Sequence, residues 1–257
     1  MNWAQEKDYI IAAIMFYSRL PWPGKTNSSD DIINKSRKYF PLIGWLIGGL
    51  AIASVLLLEM LLPMSLVVLL SMVVTVLATG AFHEDGFADM CDAFGGGWTK
   101  EQVLAIMKDS RVGAYALVGI FLLLLIKFFA LYELAQLSLP LMLVTYLNAH
   151  VSSRFIASSV IQTHDYVQDV DKSKARPVIA QRLTSEEMVF SASFMLFAWL
   201  LWLPDLRLLL SVAVAYLLKV VLCYYFKHRI GGYTGDCLGA VQQLTEVFIY
   251  LAVLALV

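Results

Sequence analysis

A chain of 257 residues in which 60% are hydrophobic and only 15% charged is too apolar for an ordinary soluble domain, where about a quarter of residues are charged. Its mean hydropathy of +0.72 calls for lipid as solvent. The formal charge of −1 comes from segregated charges, and without a basic stripe on a soluble domain nucleic acid is excluded as a partner.

The N-terminal stretch lacks the cleavage-site pattern of a signal peptide. Its apolar run over 9–17 ends in Ser18-Arg19-Leu20-Pro21. That is too short to cross a bilayer, so an amphipathic helix lying in the interface is expected. Beyond it, seven apolar runs read as membrane-spanning helices: 41–62, 64–82, 112–134, 139–161, 188–203, 206–226 and 238–257. Most reach the ~17–25 residues needed, and 188–203 is the shortest. Continuous runs without alternation exclude barrel strands. Pro63 and Pro204 fall at turns between paired helices, where a missing N–H costs least. The expected fold is therefore all-α: one polytopic membrane bundle over residues 1–257, of about seven spans plus the interfacial helix. Most of the 19 Lys and Arg residues fall before the first span and in the loops 83–111, 162–187 and 227–237. Only Arg207 lies in an opposite turn. The positive-inside rule makes the basic side cytoplasmic and puts the C-terminus outside. Cys91, Cys223 and Cys237 have no metal-ligand spacing and read as reduced thiols.

The second run leads into His83-Glu84-Asp85-Gly86-Phe87-Ala88-Asp89-Met90-Cys91-Asp92-Ala93-Phe94-Gly95-Gly96-Gly97. Asp85, Asp89 and Asp92 stand at i, i+4 and i+7, one face of a helix. Three carboxylates in register repel one another unless a cation neutralises them. Hard oxygen donors suit Mg2+, Mn2+ or Ca2+. Because Mg2+ is usually held by one or two carboxylates plus substrate phosphates, a phosphate-bearing substrate follows. Glu84 is next to this face and is a further candidate ligand. Gly86 leaves room for a neighbouring helix or a substrate, and Gly95-Gly96-Gly97 ends the helix.

Thr99-Lys100-Glu101-Gln102 has the capping-box pattern of a short helix to about Lys108. Lys108 and Arg111 either meet phosphate oxygens or are flanking charges of the positive-inside kind. Asp109 is a cap or a further ligand. Lys127, within the third span, pairs with a carboxylate such as Glu133 or reaches a cavity. Arg154, within the fourth, faces a polar cavity or snorkels to the cytoplasmic edge. Lys219 snorkels. The mixed-charge loop 164–177 is a second phosphate site or a solvated loop. Gly231-Gly232-Tyr233-Thr234-Gly235-Asp236 precedes the last span, which carries Gln242, Gln243 and Glu246. An intramembrane Glu with two Gln lines a cavity rather than lipid.

The stretches His83–Gly97, Lys108–Tyr115 and Gly232–Glu246, with Phe16-Tyr17-Ser18-Arg19-Leu20-Pro21-Trp22-Pro23 and Ala149-His150-Val151-Ser152-Ser153-Arg154, resemble the cobalamin synthase family, the adenosylcobinamide-GDP ribazoletransferases. The resemblance runs along nearly the whole chain. It implies an enzyme of the bacterial cytoplasmic membrane that joins adenosylcobinamide-GDP to α-ribazole or its 5′-phosphate, giving adenosylcobalamin or its 5′-phosphate and GMP. By likeness to the CDP-alcohol phosphotransferases, it further implies Glu84, Asp85 and Asp89 as ligands of Mg2+, with Mn2+ an alternative, and Asp92 as ligand or base. The three aspartates are the catalytic candidates. His83, Lys108, Arg111, Arg154, Asp236 and Glu246 are the substrate-binding candidates. Expected partners are the two substrates and the bilayer, with other corrinoid-pathway enzymes and a second copy of the chain as further candidates. Two competing readings remain. A CDP-alcohol phosphotransferase usually has Ala-Arg after Asp-Gly, where this chain has Phe87-Ala88, and a prenyltransferase usually has a second aspartate-rich motif. A cation-coupled transporter would carry its acids near the midplane.

Overall fold

The structure, a computed structural model, describes residues 3–22, 29–168, 181–202 and 209–257. Its regular structure is helical throughout, with one isolated parallel bridge between Tyr166 and Tyr233. The expected N-terminal helix forms as α1 (Trp3–Tyr17). A short α2 (Asp30–Ser36) and a 3-10 turn (Arg37–Tyr39) then run into α3 (Phe40–Leu58), where Pro41 sits in the first turn and gives up no needed hydrogen bond. Lys38 and Tyr39 tie this entry to α1 through Glu6, at 2.9 and 2.7 Å.

Next come α4 (Met64–Thr79), α5 (Phe82–Gly96), α6 (Lys100–Ile106), α7 (Ala114–Leu137), α8 (Leu139–Thr163), α9 (Ser185–Trp199), α10 (Leu209–Ile230) and α11 (Gly235–Leu256). Pro63 begins α4 as expected, and Thr99 with Gln102 closes the expected capping box on α6. That helix ends at Ile106, short of Lys108. Pro204 and Arg207 lie outside the described residues, as does the 169–177 part of the mixed-charge loop.

Membrane character is evident on α7, where Leu117, Val118, Phe121, Leu122, Leu125, Ile126 and Phe129 are all exposed. Such a surface is stable only against hydrocarbon, with every backbone group satisfied inside the helix. The expectation of seven spans is not confirmed. Among the described residues, four helical stretches are long and apolar enough to cross: Asp30–Leu58, Ala114–Leu137, Leu209–Ile230 and Gly235–Leu256. A fifth results if α4 and α5, bent by 90°, count as one. The physical reasons differ by element. Helix α8 is 25 residues long, but its Thr145, Asn148, His150, Ser152, Ser153 and Arg154 make it polar. Helix α9 has 15 residues, and α4 stops at the bend.

The polar α8 is the central helix. From Thr145 to Arg154 every residue is buried, and it packs against α3, α11, α9 and α7. Helix α11 is the second centre, against α5, α8, α10 and α7. The most polar helices thus sit inside and the most apolar outside, the inverse of a soluble bundle and the arrangement lipid favours.

Candidate active site

The site begins at the bend between α4 and α5. Gly80 ends α4 in the left-handed region (φ 67°), and Ala81 follows it there (φ 56°). For a residue with a Cβ this conformation costs about 1–2 kcal/mol, and it is held because α5 is anchored elsewhere. The anchor is a crossing of α5 and α11 at two glycines. A Cβ on Gly86 would lie 3.1 Å from the Asp236 Cα, and one on Gly239 would lie 3.0 Å from the His83 carbonyl oxygen. The room that Gly86 leaves is therefore taken by a neighbouring helix. Because the backbones touch, the acidic face of α5 and the first turn of α11 border one space.

That space is a cavity of about 500 Å3, within the usual ~300–1,000 Å3 of ligand sites. Asp85, Asp89, Asp236, Lys108 and Arg37 line it together with His83, Gly86, Gly235 and Gly239. Phe16, Tyr17, Phe40, Phe82 and Tyr166 supply aromatic wall. Asp85 is exposed and Asp89 and Asp236 are half-buried, so their charges stay solvated or shared. His83 is buried between Phe40, stacked at 5.6 Å, and the edge of Phe82, at 5.2 Å.

The remaining sequence candidates lie elsewhere. Asp92 turns away from the cavity to the start of α7, where its Oδ2 accepts from the Gly113 N–H at 2.6 Å and its Oδ1 from the Ala116 N–H at 2.8 Å. It satisfies the orphan donors of that helix, and Gly113 permits the approach, since a Cβ there would stand 2.5 Å from Oδ1. The three aspartates therefore divide, two to the cavity and one to a cap. Glu84 points into the bundle, where Gln243 Nε2 donates to its Oε1 at 3.0 Å. Arg111 is exposed and clasps Asp109, whose carboxyl its hydrogen bonds hold down at about 2.

Arg154 and Glu246 belong to a buried polar cluster rather than to the cavity lining. Glu246 pairs with Lys127, meets His150 Nδ1 at 3.2 Å, and accepts from Gln242 Nε2 at 2.7 Å and from the Tyr250 hydroxyl at 3.0 Å. The partner of Lys127 is thus Glu246 and not Glu133. A carboxylate partner was expected, with Glu133 as the example; the one found lies on α11, which packs directly on α7. Arg154 is buried, so it does not snorkel, and it is not among the residues lining this cavity. It donates to the His150 carbonyl at 2.8 Å and stands 5.8 Å over the Phe40 ring. Lys219 is buried beside the Tyr216 ring rather than snorkelling outward. Lys127 and Arg154 balance Glu84 and Glu246 in formal charge, which lets the cluster persist away from water.

Sequence reasoning passed over Arg37 as a cavity residue, whereas Tyr166 and Gln168, which also line the cavity, fall in the loop read as a second phosphate site or a solvated loop. No local pattern marks Arg37, which reads as one more flanking charge. Its guanidinium is buried and donates to the Gln181 carbonyl at 3.1 Å. Among the described residues no three His, Cys, Asp or Glu side chains stand close enough to hold a metal ion by themselves.

A family model described as cobalamin-5-phosphate synthase matches residues 9–254. A protein of Shewanella frigidimarina (strain NCIMB 400) named adenosylcobinamide-GDP ribazoletransferase is 42% identical over 256 residues, 99% of this chain and 97% of its own. Proteins of the same name from Shewanella sp. (strain W3-18-1) and Shewanella putrefaciens are each 41% identical over 98% of this chain and 96% of their own. No solved structure matches.

Proposed function

The chain belongs to the cobalamin-5-phosphate synthase family, membrane transferases of cobalamin assembly, and we propose that its cavity joins adenosylcobinamide-GDP to α-ribazole, or to the ribazole 5′-phosphate, with release of GMP. What carries the proposal is that two helices bring Asp85, Asp89 and Asp236 to one cavity with Lys108 among the other lining residues. The ribazole hydroxyl attacks the phosphorus on the cobinamide side of the diphosphate. A phosphoester bond to cobinamide phosphate forms, the bridging P–O bond breaks, and GMP leaves with the bridging oxygen.

In this scheme Lys108 and Arg37 face the diphosphate oxygens with charge-assisted hydrogen bonds. Asp236 on α11 orients the attacking hydroxyl and accepts its proton. An ordinary aspartate (pKa ~4) is a weak base, so its main contribution is alignment. The donor set suits a divalent cation, Mg2+ first and Mn2+ second: Asp85 and Asp89 would hold it together with substrate phosphates, since the described residues do not supply three such ligands alone. When bound, the cation neutralises charge on the diphosphate. Asp92 has no part in this set, and Glu84 supports it from behind.

The membrane is the bacterial cytoplasmic membrane in this reading, with the cavity and α1 on its cytoplasmic side, where the basic loops gather. Helix α11 starts at the cavity and runs 22 residues, long enough to deliver the C-terminus to the other face. The test is GMP release by the purified protein in detergent with Mg2+ and both substrates. Release that stops with EDTA and returns with Mg2+ is expected. No release with either acceptor would overturn the proposal.

A further inference from the structure

The carboxylates and Lys108 account for one part of the cavity; its aromatic wall has no assigned role. Phe82 is 47% exposed, and its ring meets the half-buried Phe16 ring of α1 edge-on at 5.9 Å and 74°. Behind them Tyr17 stacks on Phe40 at 4.2 Å, and Phe40 on His83. The backing rings are buried, so the two front rings are held on a packed layer. Phe82 also follows directly on the left-handed Ala81, so the bend that aims the aspartates aims this ring too.

Position along α5 supplies the length scale. Phe82, Asp85 and Asp89 stand at i, i+3 and i+7, a single stripe of the helix, and all three line the cavity. The rise from Phe82 to Asp85 is about 4.5 Å and to Asp89 about 10.5 Å. A nucleoside has its flat base and its 5′-oxygen separated by a ribose, a distance of about one helical turn. A base resting on Phe82 would therefore bring the sugar's 5′-oxygen level with Asp85, with Asp89 about one further turn along, toward the phosphates that the oxygen carries. Flat π-faces bind flat bases of any sequence by stacking. The cavity volume suits a nucleoside-sized group.

We propose that Phe82, with Phe16 set edge-on beside it, forms a stacking subsite for the planar heteroaromatic base of a nucleoside substrate, with Asp85 level with its 5′ end and Asp89 a turn beyond. This rests on the transfer reaction proposed above. Two bases are flat enough to stack there, and the guanine of the donor fits the alignment better, because its 5′-oxygen carries the diphosphate, whereas the 5′-oxygen of ribazole already bears the phosphate in one acceptor and is not the attacking hydroxyl.

The experiment is calorimetric titration of the full-length protein in detergent with GMP, with α-ribazole, and with ribose 5-phosphate as a control lacking a base. Phe82→Leu and Phe16→Leu keep apolar volume but remove the flat face. The expected result is an affinity about tenfold weaker for GMP or for α-ribazole, the scale of one lost stacking contact. Ribose 5-phosphate binding should be unchanged, and Phe82→Trp should bind the base as the parent does. The titration that weakens identifies which base is held. Two results would overturn the subsite: unchanged binding of both base-bearing ligands, or equal weakening of ribose 5-phosphate, which would signal a general distortion. Failure of the subsite leaves GMP release by the parent protein intact, whereas failure of the transfer reaction abolishes that release.

Discussion

Replacing Glu246 by Met leaves Lys127 as a buried ammonium without its counter-ion, and the structure sets the size of the effect. Both side chains are almost fully buried, and Glu246 also anchors Gln242, Tyr250 and His150. Breaking a buried pair by removing one partner costs about 3–5 kcal/mol. For a chain of this size each kcal/mol moves the unfolding midpoint by about 2–4 °C, so Glu246→Met should lower it by roughly 10 °C. Lys127→Met should do the same, because it strands the carboxylate. The double variant should recover much of the loss, since a buried pair exchanged for apolar side chains is often neutral. The assay is thermal unfolding in one detergent, followed by circular dichroism across the two singles and the double. Singles within about 1 kcal/mol of the parent, or a double variant showing the sum of both losses, would refute the claim that the two charges hold each other inside the bundle.

Three further variants test the close approaches and the bend, one of them in α3. Gly86→Ala should destabilise by about 1–3 kcal/mol and reduce transfer, because its Cβ would press on the Asp236 backbone at 3.1 Å. Gly49→Ala in α3, which has no neighbour within 4 Å, should instead gain up to ~1 kcal/mol from helix propensity; thermal midpoints of the two variants check both signs. Ala81→Gly should raise the midpoint by releasing the left-handed strain of about 1–2 kcal/mol, and a lower midpoint would show that Ala81 is not strained.

How much of this was legible beforehand depended on whether the deciding contact was local. The capping box at Thr99 and Gln102, the start of α4 at Pro63 and the i, i+4 pairing of Asp85 with Asp89 are local patterns, and each forms as spaced. The interfacial reading of α1 also rested on a local run, and its rings prove to line the cavity. Asp92 shares the helical register of the other two aspartates. Its direction is set by the free N–H groups of Gly113 and Ala116 on another helix, and no spacing rule within the motif reveals them. Lys127 finds Glu246 for the same reason. Arg37 lines the cavity while its guanidinium donates to the Gln181 carbonyl, a partner 144 residues away in sequence. The count of seven spans is left unconfirmed for a reason of composition: α8 is the most buried long helix and also a polar one, so apolar length alone does not register it as a crossing.

The central claim is that Asp85 and Asp89 serve the chemistry whereas Asp92 serves the fold, and a comparison of Asp85→Asn with Asp92→Asn tests it most directly. Both variants are purified to equal helix content, and GMP release is measured under saturating Mg2+ and substrates. The account predicts that Asp85→Asn loses activity by about 100-fold or more, the scale of removing one electrostatic contact to the reacting group. Asp92→Asn should keep activity within a few-fold of the parent while losing about 1 kcal/mol of stability with its cap. Equal activity in the two variants, or the larger loss in Asp92→Asn, would contradict it.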